Sequence, residues 1–313
     1  MTPAHTIAAV DIGGTKIAVG IIDSQGRVLS KLECPTHAEW GYTKALERIV
    51  KMIRDLSPSV EGIGIGCTGP VYPLTGEIGD VNFLPGWRGE NPVRDLEQTF
   101  HVTVAMENDA DAAALAEAGW GAGKSKERLV YVTIGTGIGG GIILDGQVYR
   151  GVDHAHPEIG HHLIDPSGPS CLCGLHGCWE SLAAGPAMVQ WAEANMLSDY
   201  PHRAHLTAKQ ICGLAREGDD LALRAVQRET RYLGLGLANV VTMFAPDTIV
   251  LSGGVIKSAD LFLEGIHKTI RESCRFVPFE RTEITLASLG EDANLIGAAR
   301  VWHHRFNARG EHA

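Results

Sequence analysis

Residues 7–23 read IAAVDIGGTKIAVGIID, an apolar run that ends in Asp11, passes through Gly13-Gly14-Thr15-Lys16 and returns as a second apolar run. Short apolar runs joined by a glycine turn read as paired strands, and Ser24-Gln25-Gly26 ahead of a further run at 28–33 adds a third, giving an antiparallel meander. Residues 129–144, LVYVTIGTGIGGGIIL, repeat the arrangement: a strand over 129–134, the turn Gly135-Thr136-Gly137, a strand over 140–144 and the hairpin turn Asp145-Gly146. A strand, glycine turn, strand pattern that occurs twice predicts an α/β protein of two related domains facing a shared cleft.

Between these two stretches, 42–56 carries Ala45, Leu46, Ile49, Val50 and Ile53 at helical spacing, and 62–67 and 102–107 read as strands. The stretch 69–87 is rich in Pro and Gly and long for a loop inside a compact domain. That favours a binding role, a loop with a short hairpin being the alternative. An Ala-rich helix follows at 110–118, helical patterns dominate 184–244, a strand at 248–252 ends in Gly253-Gly254, and a helix at 295–306 closes the chain ahead of a frayed tail at 307–313. The expected division is a small first domain, 1–120, joined by the closing segment 295–313, and a larger second domain, 121–294, with a hinge at 119–126.

Composition narrows the function. At 313 residues, 44% hydrophobic and 20% charged, the chain can bury two ordinary cores. A formal net charge of −10 reads against a nucleic-acid or anionic-membrane surface. The most apolar stretch, 233–256, is interrupted by Asn239, Pro246, Asp247 and Gly253, so it reads as a buried helix followed by a buried strand and not as a membrane span. No signal peptide precedes the first strand, and three of seven cysteines cluster, which points to metal-binding thiols in a reducing, cytoplasmic setting.

Five groups of residues are candidates for chemistry. Asp11-Ile12-Gly13-Gly14-Thr15-Lys16 joins a strand-end carboxylate to two glycines, a hydroxyl and a cation. Backbone N–H groups can close on a phosphate there, and Asp11 could hold magnesium through water; a plain hairpin with a solvated Lys16 is the alternative. Thr136-Gly137 supplies a second such turn, and Gly253-Gly254 a third that could admit a purine or ribose or serve as an ordinary strand-to-helix turn. Gly121-Ala122-Gly123-Lys124-Ser125 is too short for a P-loop, and no GxGxxG joins a strand to a helix, so a dinucleotide enzyme is disfavoured. Glu107-Asn108-Asp109 stands where a strand gives way to the Ala-rich helix. The ordinary reading there is an N-cap, yet a helix N-terminus also favours an ionised carboxylate suited to accepting a hydroxyl proton. Asp111 is expected to face solvent. Finally, Cys171, Cys173 and Cys178 with Gly174 and Gly177 can present three thiolates from one loop, and a histidine can complete a closed, structural zinc site. His161 is preferred, and His156, His162 and His176 are open by spacing.

These residues resemble the ROK family of sugar kinases and sugar-responsive repressors, over nearly the whole chain. Asp11 to Lys16 resembles its first phosphate motif, Glu107-Asn108-Asp109 its catalytic motif, and 133–141 its second phosphate motif. His156-x-Glu158-Ile159-Gly160-His161 with Cys171-x-Cys173-Gly174-x-x-Gly177-Cys178-x-Glu180 resembles its zinc and sugar signature. The resemblance implies an actin-like, ribonuclease H-like pair of α/β domains around a cleft. It implies Asp109 as the general base that takes a proton from a sugar hydroxyl attacking the γ-phosphate of ATP. It further implies Asn82, Asn108, Glu158, His161 and Glu180 as sugar contacts, with His161 shared by zinc. Repressor members carry a winged helix-turn-helix ahead of the first phosphate motif, whereas six residues precede Ile7 here, so DNA binding by that route is not expected. The expected activity is ATP- and magnesium-dependent phosphorylation of the 6-hydroxyl of a hexose, glucose by default. N-acetylmannosamine, N-acetylglucosamine or fructose are alternative substrates, and a sugar sensor without turnover is the non-enzyme alternative. The family also implies a homo-oligomer, dimer or tetramer.

Overall fold

In the computed structural model, which describes residues 6–57, 59–197, 200 and 206–306, the opening meander is β1 (Thr6–Ile12), β2 (Lys16–Asp23) and β3 (Val28–Pro35). The segment 307–313, read above as a frayed tail, lies outside the described residues. Helix α1 (Tyr42–Leu56) returns the chain to β4 (Gly62–Cys67), which pairs parallel with β1. After the small hairpin β5 (Val71–Tyr72) and β6 (Glu77–Ile78), helix α2 (Pro92–Phe100) leads to β7 (Thr103–Asn108), parallel to β4. The sheet order is β3-β2-β1-β4-β7. Alternation fixes its two faces. Ala8, Val10 and Ile12 pack with Ala45, Ile49 and Ile53 of α1 and Leu96 of α2, while Ile7, Ala9, Ala18 and Ile22 pack with the closing helix.

Helix α2 is not among the elements expected from the sequence. Its signals are local: Asn91 accepts the Arg94 N–H as N-cap, and Pro92 stands at the first helical position, where its missing donor costs nothing. The stretch 69–87 does contain the short hairpin offered as the alternative to a binding loop.

Helix α3 (Asp109–Trp120) is buried from Ala110 to Glu117, so it shows no polar face. After it come β8 (Leu129–Ile134), β9 (Ile138–Leu144) and β10 (Gln147–Val148), then α4 (Trp179–Ala183), α5 (Gly185–Ala194), α6 (Ala208–Arg216) and α7 (Asp220–Phe244). Strand β11 (Thr248–Ser252), α8 (Leu263–Ser273), β12 (Glu283–Leu286) and the closing helix α9 (Ala293–Phe306) complete the chain. The second sheet has the order β10-β9-β8-β11-β12, strand for strand the pattern of the first. Asp145 and Gly146, both at positive φ, make the tight turn between β9 and β10.

By internal contacts the chain forms two units. One takes the chain up to Tyr131, Gly141–Pro157 and the chain from Ala287 on; the other takes Val132–Gly140 and Glu158–Leu286. In the first, α9 lies against β1 and β4, where Gly62 and Gly64 leave no room for a Cβ beneath Trp302 and the Ala298 carbonyl. The buried Glu117 carboxylate accepts N–H groups from Ala122, Ser288 and Leu289, which ties the end of α3 to two loops. In the second unit, α7 packs against α4, α5, α6 and α8. Among the described residues no helix is long and apolar enough to cross a membrane.

Candidate active site

Parallel pairing aligns the strand ends of the first unit. Asp11 on β1 stands opposite Gly66 on β4, and Gly66 opposite Glu107 on β7, so Asp11 and the Glu107-Asn108-Asp109 run emerge at the same edge. Carboxyl ends of parallel strands are where α/β sheets place ligands. Burial, and then the charge of Asp109, pushes the Asp11 carboxyl up to about 7. The two acids therefore sense one another. Between them lies Cys67, whose thiol burial and the two nearby carboxylates push well above its usual value.

Asp109 is the first residue of α3. The Ala110 N–H points to Asp109 Oδ1 and to Asn108 Oδ1, each at 2.8 Å, so the Asn caps the helix while the Asp stands in its first turn. Gly69 approaches the Asn108 side chain, and Phe83 lies on Gly14. The loop bearing the exposed Asn82 thus rests on the first glycine turn. That turn is closed by Gly13 N–H to Lys16 C=O at 2.9 Å and braced by Thr36, whose hydroxyl donates to the Gly13 carbonyl at 2.6 Å. Thr36 is not among the site residues expected from the sequence. Lys16 is exposed and paired with Glu33 at 3.0 Å, and the Thr15 carbonyl accepts the Thr36 N–H.

Asp111 departs from the solvent-facing position expected of it. It is 1% exposed, and His156 Nδ1 lies 2.8 Å from its Oδ2. The cause is the burial of α3 on every side, which spacing along one helix does not show. Glu107, also buried, binds Arg150, and burial still pushes its carboxyl up to about 7.

In the second unit the remaining glycine turns adjoin one another. Gly135 N–H bonds the Gly137 carbonyl, the Gly135 carbonyl receives Gly185 N–H at the start of α5, and Val255 N–H reaches the Ile134 carbonyl. Gly253, at φ 97°, lies so close over Ile134 that no side chain would fit, and Gly254 follows it with open space around. Thr136 is exposed at the tip. Glu180 Oε2 accepts the Ile138 N–H at 2.9 Å and would overlap any Cβ on Gly137. Gly160 packs on the Ile138 carbonyl, so the Glu158 to His161 segment lies on the same strand start. The second phosphate-type turn and the proposed sugar-contact residues Glu158, His161 and Glu180 are thereby brought together.

One donor atom each from His161, Cys171, Cys173 and Cys178 lies within 4.8 Å of all the others. Cys173 and Cys178 sulfurs are 3.5 Å apart, and Cys171 Sγ is 3.3 Å from His161 Nδ1. Tetrahedral zinc with thiolate arms near 2.3 Å implies edges of about 3.8 Å, so this donor set fits it, whereas 3.5 Å is far beyond a disulfide bond. Gly174 and Gly177 both take positive φ, and Gly177 closes against the Asp165 carbonyl. The other histidines are placed elsewhere: His156 on Asp111, His162 on the Ile159 carbonyl and tilted over Trp179, His176 beside Ser170.

Two α/β sheets of identical strand order, each with a glycine turn between its first two strands, define an actin-like, ribonuclease H-like protein. The chain belongs to the ROK family, whose model matches residues 7–305. It is 34% identical to a glucokinase of Streptomyces coelicolor, over 93% of this chain and 95% of that protein. Among solved structures it is similar to the ROK hexokinase of Thermus thermophilus, with a TM-score of 0.80 at 35% identity over 96% of this chain and 99% of that one. It is also similar to a ROK family glucokinase from Streptomyces griseus in complex with glucose and AMPPNP, with a TM-score of 0.78 at 33% identity over 94% and 98% of the two chains.

Proposed function

We propose that the protein is an ATP-dependent hexose kinase that phosphorylates the sugar 6-hydroxyl, with glucose as substrate and Asp109 as general base. The observation that carries this reading is the placement of Asp109 in the first turn of α3, beside Asp11 at the ends of parallel strands. A base there needs no covalent chemistry, because phosphoryl transfer is catalysed by positioning and charge stabilisation. Asp109 accepts the proton of the attacking hydroxyl. Asn82, Asn108, Glu158, His161 and Glu180 bind sugar hydroxyls, and the turns at Gly13-Gly14-Thr15-Lys16, Thr136-Gly137 and Gly253-Gly254 bind nucleotide through their backbone. Asp11 would hold magnesium, which when bound neutralises phosphate charge. The Cys171, Cys173, Cys178 and His161 cluster would hold zinc, which fixes the loop leading into Glu180 and takes no part in the chemistry. The choice of glucose among hexoses is supported by the glucokinase relatives.

The test is ADP release with ATP and magnesium against glucose, mannose, fructose, N-acetylglucosamine, N-acetylmannosamine and no sugar, repeated with polyphosphate as donor. Turnover highest on glucose supports the reading, and turnover highest on another sugar corrects the substrate. Sugar binding without turnover from either donor replaces the kinase with a sensor.

A further inference from the structure

Two buried side-chain contacts, the Arg150–Glu107 ion pair and the His156–Asp111 hydrogen bond, bracket Asn108-Asp109, and both end on one short segment of chain. Glu107, two residues before Asp109, is held by the Arg150 guanidinium, and Asp111, two residues after it, by His156. Both acids are almost wholly buried, at 4% and 1% exposure. Between Arg150 and His156 the chain folds onto itself: Gly151 N–H bonds the Ala155 carbonyl at 2.8 Å, His154 N–H the Gly151 carbonyl and Ala155 N–H the Val152 carbonyl. Asp153 and His154 take positive φ, and 151–155 are exposed. An exposed loop is thus clamped at both ends to acids on either side of the proposed base. Buried carboxylates are costly where apolar residues would fill the same space, so a pair of them at one junction calls for a role beyond packing.

We propose that Arg150 and His156 are positioning residues: through Glu107 and Asp111 they hold the β7–α3 junction so that Asp109 keeps its reactive placement, with 150–156 as the strap. The inference rests on the reading of Asp109 as base. The first turn of a helix lacks half of its internal hydrogen bonds, so a catalytic group there needs outside support. A misplacement of about 1 Å costs roughly a hundredfold in rate.

Steady-state kinetics of Arg150→Met and His156→Leu, beside Arg150→Lys and His156→Gln, test it. The expected result is a kcat lower by about 10- to 100-fold in the Met and Leu variants, with KM for sugar and for ATP within about threefold of wild type, and recovery of most activity in the Lys and Gln variants. Unchanged kcat, or a raised KM at unchanged kcat, overturns it. Should Arg150→Met fail to fold, the neutral pair Glu107→Gln with Arg150→Gln takes its place with the same expectation. Amide hydrogen exchange gives a readout free of the kinase reading: in His156→Leu, peptides covering 107–113 should exchange about tenfold faster while those of the second unit do not change. Faster exchange in a protein that turns over no sugar refutes the base and keeps the clamp; unaltered exchange refutes the clamp itself.

Discussion

Asp109 and Glu229 show how differently one carboxylate and another can be placed. Asp109→Asn keeps the size and helix position of the side chain but removes its capacity to accept a proton. Its kcat should fall by about 100- to 10,000-fold, with sugar binding and melting temperature close to wild type; comparable turnover in the variant would take Asp109 out of the mechanism. Glu229, on α7, is fully buried, and among the described residues neither of its oxygens has a hydrogen-bond partner, Arg228 standing 3.9 Å away. Burial pushes this carboxyl from 4.5 up to about 8. Below pH 4.5 folded and unfolded chains are both protonated at this site and folding is unaffected. From there to about pH 8 the unfolded chain ionises first, so stability falls as pH rises, by a total on the order of 5 kcal/mol above pH 8. Asp11 and Glu107, both raised to about 7, add to the same trend. Glu229→Gln should therefore lose less melting temperature between pH 5 and 9 than wild type does, and parallel losses in the two proteins would contradict the assignment.

At the scale of an element, the cysteine loop and α4 belong to one device. Cys178 is a cluster donor and the N-cap residue of α4, and Glu180, in the first turn of that helix, reaches the Ile138 N–H of the second glycine turn. Cys173→Ser should lower metal content and melting temperature together, against about one zinc per chain in the wild type by elemental analysis. Wild-type protein with no zinc would remove the site, and a variant that kept its zinc would remove Cys173 from it. The loop was legible from its sequence because cysteines and glycines at such spacing have few other uses. Helix α2 is harder to see in the sequence, although Asn91-Pro92 marks its start, because the Pro- and Gly-rich stretch before it carries turn signals.

Over the whole molecule, the end of the chain completes the core at its beginning. Trp302 of α9 is buried over Gly62, and its indole N–H donates to the Thr103 carbonyl and hydroxyl. Trp302→Ala should destabilise the protein by about 3–5 kcal/mol, seen as a lower denaturant midpoint; an unchanged midpoint would mean that α9 adds little to the first unit. The repeated strand, glycine turn, strand pattern was enough to predict two related α/β domains, and the actin-like, ribonuclease H-like form of that fold came with the family resemblance. The candidate site residues are likewise readable along the chain: the capping Asn108 beside Asp109, the three glycine turns and the clustered thiols are each a property of neighbours in sequence. What lies around them is set by packing. Burial of α3 on all sides turned Asp111 from an expected surface residue into the partner of His156, and parallel register set Asp11 and Asp109 at one edge. Those are contacts between segments far apart in the chain, set by how sheets and helices pack, and no local spacing encodes them.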